Sequence, residues 1–156
     1  MGNVLQDLYN IKPRKTYDHD FLMNFDRIPE NFVFDFIRGY FDGDGAVSYN
    51  ENTHVLQFAI YGTSVNFLNQ IASIFEQNFN VFRRISYKDN KTTRLYCLMF
   101  DAFKKKKEFH NALFEKMYKN KKCYLNRKML KLRHYLEFKY RDNPEDIERL
   151  LGYCRA

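Results

Sequence analysis

The chain is poor in several residue types, and each shortage excludes a class of protein. It has no tryptophan, three prolines and three cysteines among its 156 residues. Cys97, Cys123 and Cys154 are too few and too scattered for a disulfide framework or a CxxC metal site. No apolar run approaches the length of a membrane span, and the first residues lack the apolar core of a signal peptide. These absences predict a soluble, intracellular protein.

Acidic residues are outnumbered by basic ones, 19 to 26, which gives a net charge of +7 and a pI near 9.2. This excess suggests either a polyanionic partner such as nucleic acid or merely a basic surface, and charge alone does not separate the two. Hydrophobic residues make up 45% and aromatic residues 18% of the chain, which predicts a folded protein. Its length fits one domain.

The order of periodic segments predicts the fold class. Residues 1–31 form a basic leader, 32–141 the main domain and 142–156 a tail. Helices are predicted over 31–41, 64–75, 103–118 and 124–140, with Asn31 and Ser64 as N-caps of the first two. Strands are predicted over 46–50, 54–61, 81–88 and 93–100, in two hairpins. This order indicates an α+β domain in which helices cover a four-stranded antiparallel sheet.

Residues 36–45, FIRGYFDGDG, are an apolar helical run that ends in two acids and two glycines. A carboxylate at a helix C-terminus lies where the macrodipole is negative, so it attracts cations and needs a divalent metal to approach a phosphodiester. Gly39 and Gly43 lie four apart on one helix face, where missing side chains admit a second backbone. Two such helices side by side would bring two carboxylates together, as cutting both strands of a duplex requires.

This motif resembles the signature of the LAGLIDADG homing endonucleases. The likeness covers about residues 32–140, through the αββαββα order, the Gly62-Thr63 step and residues 125–128, LNRK. It implies that the motif helices of two repeats pack together and that two four-stranded sheets form a saddle over double-stranded DNA. The implied activity is a site-specific, metal-dependent double-strand break that mobilises an intron or intein. The implied compartment is the cytoplasm of a bacterium or phage host, or an organelle.

The resemblance also implies roles for particular residues. Asp44 matches the catalytic acid that binds the metal, Mg²⁺ or another divalent cation such as Mn²⁺, and the carbonyl of Gly43 can face the same ion. Asp42 matches the first motif acid, whose role is structural. Lys128 matches a basic residue near the active site, which either stabilises charge and holds the attacking water or contacts phosphate or solvent. Gly62 departs from members with glutamine or another polar residue there, and this leaves water activation without an obvious side chain.

Strand alternation predicts which side chains face DNA. Leu56, Phe58 and Ile60 are predicted to pack on helices, so their neighbours point the other way. Amides, hydroxyls and arginines on a β-ribbon can read base edges in a major groove. The predicted DNA-binding residues of the sheet are Ser48, Asn50, Asn52, Gln57, Tyr61, Arg84, Ser86, Lys88, Arg94 and Tyr96.

The leader adds a further basic candidate. Residues 12–16, KPRKT, resemble the segment that joins the first repeat to the second motif in two-repeat members, and Lys15 is the predicted DNA contact there. The chain is therefore either the C-terminal half of a longer protein or a single-motif protein that forms a homodimer. Two other functions stay open, a LAGLIDADG-like DNA-binding regulator that does not cut and an intron maturase that binds RNA.

Overall fold

The protein is described by a computed structural model over residues 2–11, 18–50, 52–53, 55–79, 81, 83–90, 93–100, 106–119, 125–142 and 145. Its helices are α1 (Gly2–Tyr9), α2 (Val33–Asp44), α3 (Val65–Phe79), α4 (Lys106–Met117) and α5 (Asn126–Lys139). Its strands are β1 (Gly45–Asn50), β2 (Val55–Gly62), β3 (Arg83–Asn90) and β4 (Thr93–Phe100). The predicted α+β class is confirmed. None of the helices in these ranges combines the length and apolar character needed to cross a membrane.

The four strands form one antiparallel sheet in the order β1-β2-β4-β3. Each hairpin contributes two neighbouring strands, and the hairpins join where β2 pairs with β4. Ser48 lies opposite Gln57 in the first hairpin, and Ile85 lies opposite Leu98 in the second. Tyr61 lies opposite Cys97 at the junction. These pairs fix which side chains share a face, because cross-strand partners point to the same side of a sheet.

The core lies between one face of this sheet and the helices. The rings of Phe41 on α2 and Phe58 on β2 lie 5.5 Å apart, and those of Phe75 on α3 and Phe100 on β4 stack at 4.6 Å. Leu136 of α5 is fully buried in the same core. The predicted inward positions of β2 are therefore confirmed. The other face carries the exposed residues Ser48, Gln57 and Arg84, and no helix in the described ranges covers this face.

The starts of two helices test the predicted caps. Ser64 is the N-cap of α3, since its Oγ accepts a hydrogen bond from the Phe67 N–H at 3.2 Å and donates one to the Phe21 carbonyl at 2.7 Å. The prediction that Asn31 caps the motif helix is wrong. Asn31 lies inside a 3₁₀ turn, Glu30–Phe32, that follows Pro29, so Phe32 takes the cap position without a side-chain hydrogen bond.

Candidate active site and nucleic-acid interface

Asp44 is the last residue of α2 and is exposed at the junction of helix and sheet. The Gly45 N–H donates to the Phe41 carbonyl, and β1 starts at that glycine. A Cβ on Gly45 would lie 2.5 Å from the Phe41 carbonyl oxygen and 2.3 Å from its ring, so only glycine fits there. The tight turn therefore holds the Asp44 carboxylate at the negative end of the helix, where a cation is favoured.

Asp42 is turned into the protein. Its carboxylate accepts hydrogen bonds from the Tyr118 hydroxyl at 3.3 Å and from the Leu125 N–H at 3.0 Å. These contacts join α2 to the chain just after α4 and just before α5. Burial and the Asp42 charge raise the pKa of the Tyr118 hydroxyl well above its usual range. This arrangement agrees with the structural role that the resemblance implied for Asp42.

Lys128 reaches the same helix end from α5. It is 5% exposed, and its ammonium donates to the Phe41 carbonyl and, at 2.8 Å, to the Asp42 carbonyl. Its Nζ also lies 4.7 Å from the centre of the Phe41 ring. Burial lowers the pKa of Lys128, while the charges of Asp42 and Asp44 act in the opposite direction. Lys128 therefore caps the C-terminus of α2 and is not a solvated surface lysine.

A cavity of about 170 Å³ opens beside Asp44. Its lining residues are Asp18, Phe21, Tyr40, Asp44, Tyr61, Gly62, Thr63, Ser64, Phe67 and Leu95. Sequence reasoning missed Tyr40, although its position four residues before Asp44 puts both on one helix face. It also missed Asp18, for which the sequence held no signal, because only the fold brings residues 18–21 against the start of α3. The cavity lining thus brings two aspartates and Tyr40 to one place.

The predicted helix interface is an open stripe on α2. Gly39 and Gly43 are both exposed, and a Cβ on either would meet no atom within 4 Å. Phe32, seven residues before Gly39, lies at helical spacing from it and is 54% exposed. Phe36 follows the same spacing but is half-buried and packs edge-on against Phe25, with 5.5 Å between ring centres. Nothing in the described ranges packs against the two glycines, so contacts within this chain do not explain why the helix carries them.

The open sheet face carries most of the predicted DNA contacts. Ser48 and Gln57 are paired across β1 and β2, with 3.4 Å between Oγ and Oε1. Asn50 is exposed, and its Oδ1 accepts from the N–H groups of Asn52 and Thr53 in the exposed turn. Strand pairing places the remaining members of this face at Tyr61, Arg84, Ser86 and the backbone position of Lys88. Lys15 lies outside the described residues.

The prediction that Arg94 and Tyr96 share this face is wrong. Tyr96 lies opposite Tyr87 and Gly62, and its ring is 5.4 Å from that of Tyr87. Because Cys97 is the partner of Tyr61, every second residue counted from Cys97 lies on the open face. The residues of β4 on the open face are Leu95, Cys97 and Met99. Arg94 is exposed near the hairpin tip, on the side of the sheet that carries the helices.

The donors at Asp44 suit a hard divalent cation. Its carboxylate and the carbonyl of Gly43, in the last helical turn, are oxygen ligands of the kind that Mg²⁺ prefers. Within the described part of the chain no group of three or more His, Cys, Asp or Glu residues could hold a metal by itself. A metal here would therefore need further ligands from water, phosphate or a second protein segment.

The part of the chain that contains the motif helix and the sheet also matches a protein-family model. The model of the LAGLIDADG-like domain matches residues 31–125, which include α2, both hairpins and α4. The chain therefore belongs to the LAGLIDADG family, whose members are generally nucleases that bind DNA. No curated protein and no solved structure gives a significant match.

Proposed function

We propose that the protein is a site-specific DNA endonuclease of the homing type that makes a metal-dependent double-strand break. One observation carries the proposal. Asp44, the last residue of a helix, keeps an exposed carboxylate immediately beside a glycine stripe that is open to a second helix. A carboxylate that served only the fold would be bonded inward, as Asp42 is.

DNA binding is assigned to the open face of the sheet. Its amide, hydroxyl and guanidinium groups offer both donors and acceptors to base edges, and the basic excess of the chain supplies salt-sensitive affinity for phosphates. Asp44 lies at the start of β1, so the sheet that would hold the duplex ends at the carboxylate. This continuity supports binding and cutting by one surface.

Asp44 and the Gly43 carbonyl are the residues that would hold Mg²⁺. When bound, the ion supplies Lewis acidity and lowers the pKa of a coordinated water. Lys128 and Asp42 act on the site indirectly, because their hydrogen bonds fix the end of α2 from which Asp44 projects. Lys128 is thus proposed as a positioning residue whose charge also offsets that of the nearby carboxylates.

A second motif helix completes the proposed enzyme. It packs on the stripe of Gly39 and Gly43 and comes either from a second copy of this chain or from a preceding repeat. One carboxylate from each helix then serves one strand of the duplex. The open stripe supports both versions equally, since each needs only a close helix on this face.

The test is cutting of duplex DNA that carries candidate intron or intein insertion sites. The protein is incubated with such a library in Mg²⁺ or in EDTA, and broken ends are sequenced. Breaks at one sequence that need Mg²⁺ support the proposal. Sequence-specific duplex binding without breaks would instead indicate a regulator, and tighter binding of intron RNA than of any duplex would indicate a maturase.

A further inference from the structure

The cavity beside Asp44 contains a polar group that has no place in the function described so far. The Tyr40 hydroxyl projects from α2 into the space between the helix and the end of β2. It donates a hydrogen bond to the Tyr61 carbonyl at 3.0 Å. Its ring packs edge-on against Phe67, with 4.9 Å between centres. The hydroxyl oxygen is therefore held in one position on the cavity wall.

Gly62 forms the opposite side of this contact. A Cβ on Gly62 would lie 3.2 Å from the Tyr40 Oη, which is tighter than ordinary packing, and 3.4 Å from Leu68, which is ordinary contact. The backbone of Gly62 has no positive φ that would require glycine, so the constraint is steric. The tyrosine oxygen thus lies directly beside the place where a side chain on residue 62 would begin. The Tyr40 hydroxyl of α2 is thus the polar group at this point, whereas Gly62 of β2 has no side chain.

We propose that Tyr40 is a positioning residue for hydrolysis, and that its hydroxyl accepts a hydrogen bond from the attacking water beside Asp44. The proposal rests on the proposed endonuclease function and deepens it. A phenol oxygen that donates its proton to a carbonyl, as Tyr40 does to Tyr61, can also accept a hydrogen bond. Asp44 and Tyr40 line the same cavity and the Asp44 charge acts on the Tyr40 hydroxyl, so we place the water between them.

Tyr40 orients the water and does not deprotonate it. Burial, followed by the charge of Asp44, raises the pKa of the Tyr40 hydroxyl well above its usual range, so it stays a neutral phenol during cutting. In the hydrolysis, the water oxygen forms a bond to phosphorus while the bond from phosphorus to the leaving sugar oxygen breaks. The attacking water loses one proton to solvent, and the leaving sugar oxygen takes up a proton from solvent. Holding the nucleophile in line lowers the barrier by orientation.

The first experiment compares two Tyr→Phe variants, one at the cavity beside Asp44 and one on α5. Tyr40→Phe keeps the ring on Phe67 and removes the hydroxyl, and we expect a cutting rate about tenfold to hundredfold lower with duplex affinity in EDTA within about twofold. Tyr135→Phe is the matched control, because it removes the hydroxyl of another buried tyrosine, which accepts a hydrogen bond from Lys139 on α5. We expect it to cut at the wild-type rate at a temperature where both variants are folded.

The second experiment moves the polar group. Gly62→Ser in the Tyr40→Phe background has space for its side chain, because the tyrosine hydroxyl is gone. We expect the double variant to cut at least about threefold faster than Tyr40→Phe alone. A readout independent of activity is the urea midpoint. Gly62→Ala should lower the midpoint more in the wild-type background than in the Tyr40→Phe background, since only the former contains the close contact.

Each outcome decides a separate point. Equal cutting by Tyr40→Phe and wild type overturns this inference and leaves the proposed endonuclease intact. Equal loss of binding and cutting in Tyr40→Phe also overturns it, because the hydroxyl would then be only a structural contact. A wild-type protein that cuts no duplex in the library, either alone or with a preceding repeat added, overturns the proposed function and this inference together.

Discussion

Two aspartates of the motif, Asp42 and Asp44, have the same chemistry and opposite surroundings. Two residues correspond to about 200° of rotation around an α-helix, so the side chains leave opposite sides of α2. Asp42 bonds to Tyr118 and Leu125 inside the protein, and Asp44 remains exposed beside the cavity. The rotation assigns Asp42 to the fold, and it leaves Asp44 available for the metal binding that we propose.

The corrected register of β4 makes a testable prediction about DNA binding. Arg84 lies on the open face and Arg94 lies on the other, although both are exposed. Arg84→Ala should cost about 1–3 kcal/mol of binding free energy on the cognate duplex if it reads a base. Arg94→Ala is the matched control and should weaken binding less. Fluorescence anisotropy at fixed salt measures both, and a larger loss for Arg94→Ala would contradict the face assignment.

Residue positions were predictable from the sequence where a local rule fixes them. Asp44 and the Ser64 cap follow from helix-end chemistry, and Leu56, Phe58 and Ile60 follow from alternation with polar neighbours. Alternation failed in β4, because apolar residues occupy both faces of that strand and its phase is set by pairing with β2. Tyr40 and Asp18 were missed because their shared cavity is formed by tertiary contacts.

At the scale of elements, α2 is fixed by contacts from its middle and its C-terminal end to the rest of the domain. Arg38 donates to Asp35 at 2.6 Å and to the Met117 carbonyl at 3.0 Å, which joins α2 to the end of α4. Lys128 of α5 caps the last carbonyls. The helix that presents Asp44 is therefore held by α4 and α5, which the motif alone does not indicate.

This arrangement predicts that Asp42 is a stability residue. Asp42→Ala removes the acceptor of two hydrogen bonds and leaves the Leu125 N–H without that partner, so we expect the free energy of unfolding to fall by about 2–4 kcal/mol. Tyr118→Phe removes one of these bonds and should cost about 0.5–1.5 kcal/mol. Urea denaturation followed by circular dichroism measures both. Unchanged stability of Asp42→Ala would show that these bonds do not hold the helix.

For the whole molecule, we expect the open glycine stripe to lower the stability of the isolated chain and to permit close packing of a second helix. Gly39→Ala places a methyl group where no atom lies within 4 Å and replaces a poor helix former, so the isolated chain should gain about 0.5–1 kcal/mol. The same methyl group would separate two closely packed helices, and cutting should fall. Gln77→Ala, an exposed position on α3, is the control for helix propensity and should leave cutting unchanged.

Urea unfolding and the cutting assay together test this pair of variants. A more stable Gly39→Ala protein that cuts as fast as wild type would contradict packing of a second helix on the stripe.

The element order and sheet were predictable at this scale because turns and periodicity are local. The identity of the partner was not, since Gly39 and Gly43 show only that a backbone can approach.

The proposed function depends most on Asp44, which is assigned to cutting, whereas the side chains of the open sheet face are assigned to binding. The direct measurement is the cutting rate in Mg²⁺ and the duplex affinity in EDTA for Asp44→Asn, beside Glu137→Gln, an exposed acid of α5 whose loss gives the same charge change. We expect Asp44→Asn to abolish cutting with affinity within about twofold of wild type, and Glu137→Gln to cut normally. Cutting by Asp44→Asn at the wild-type rate, or loss of binding together with cutting, would contradict it.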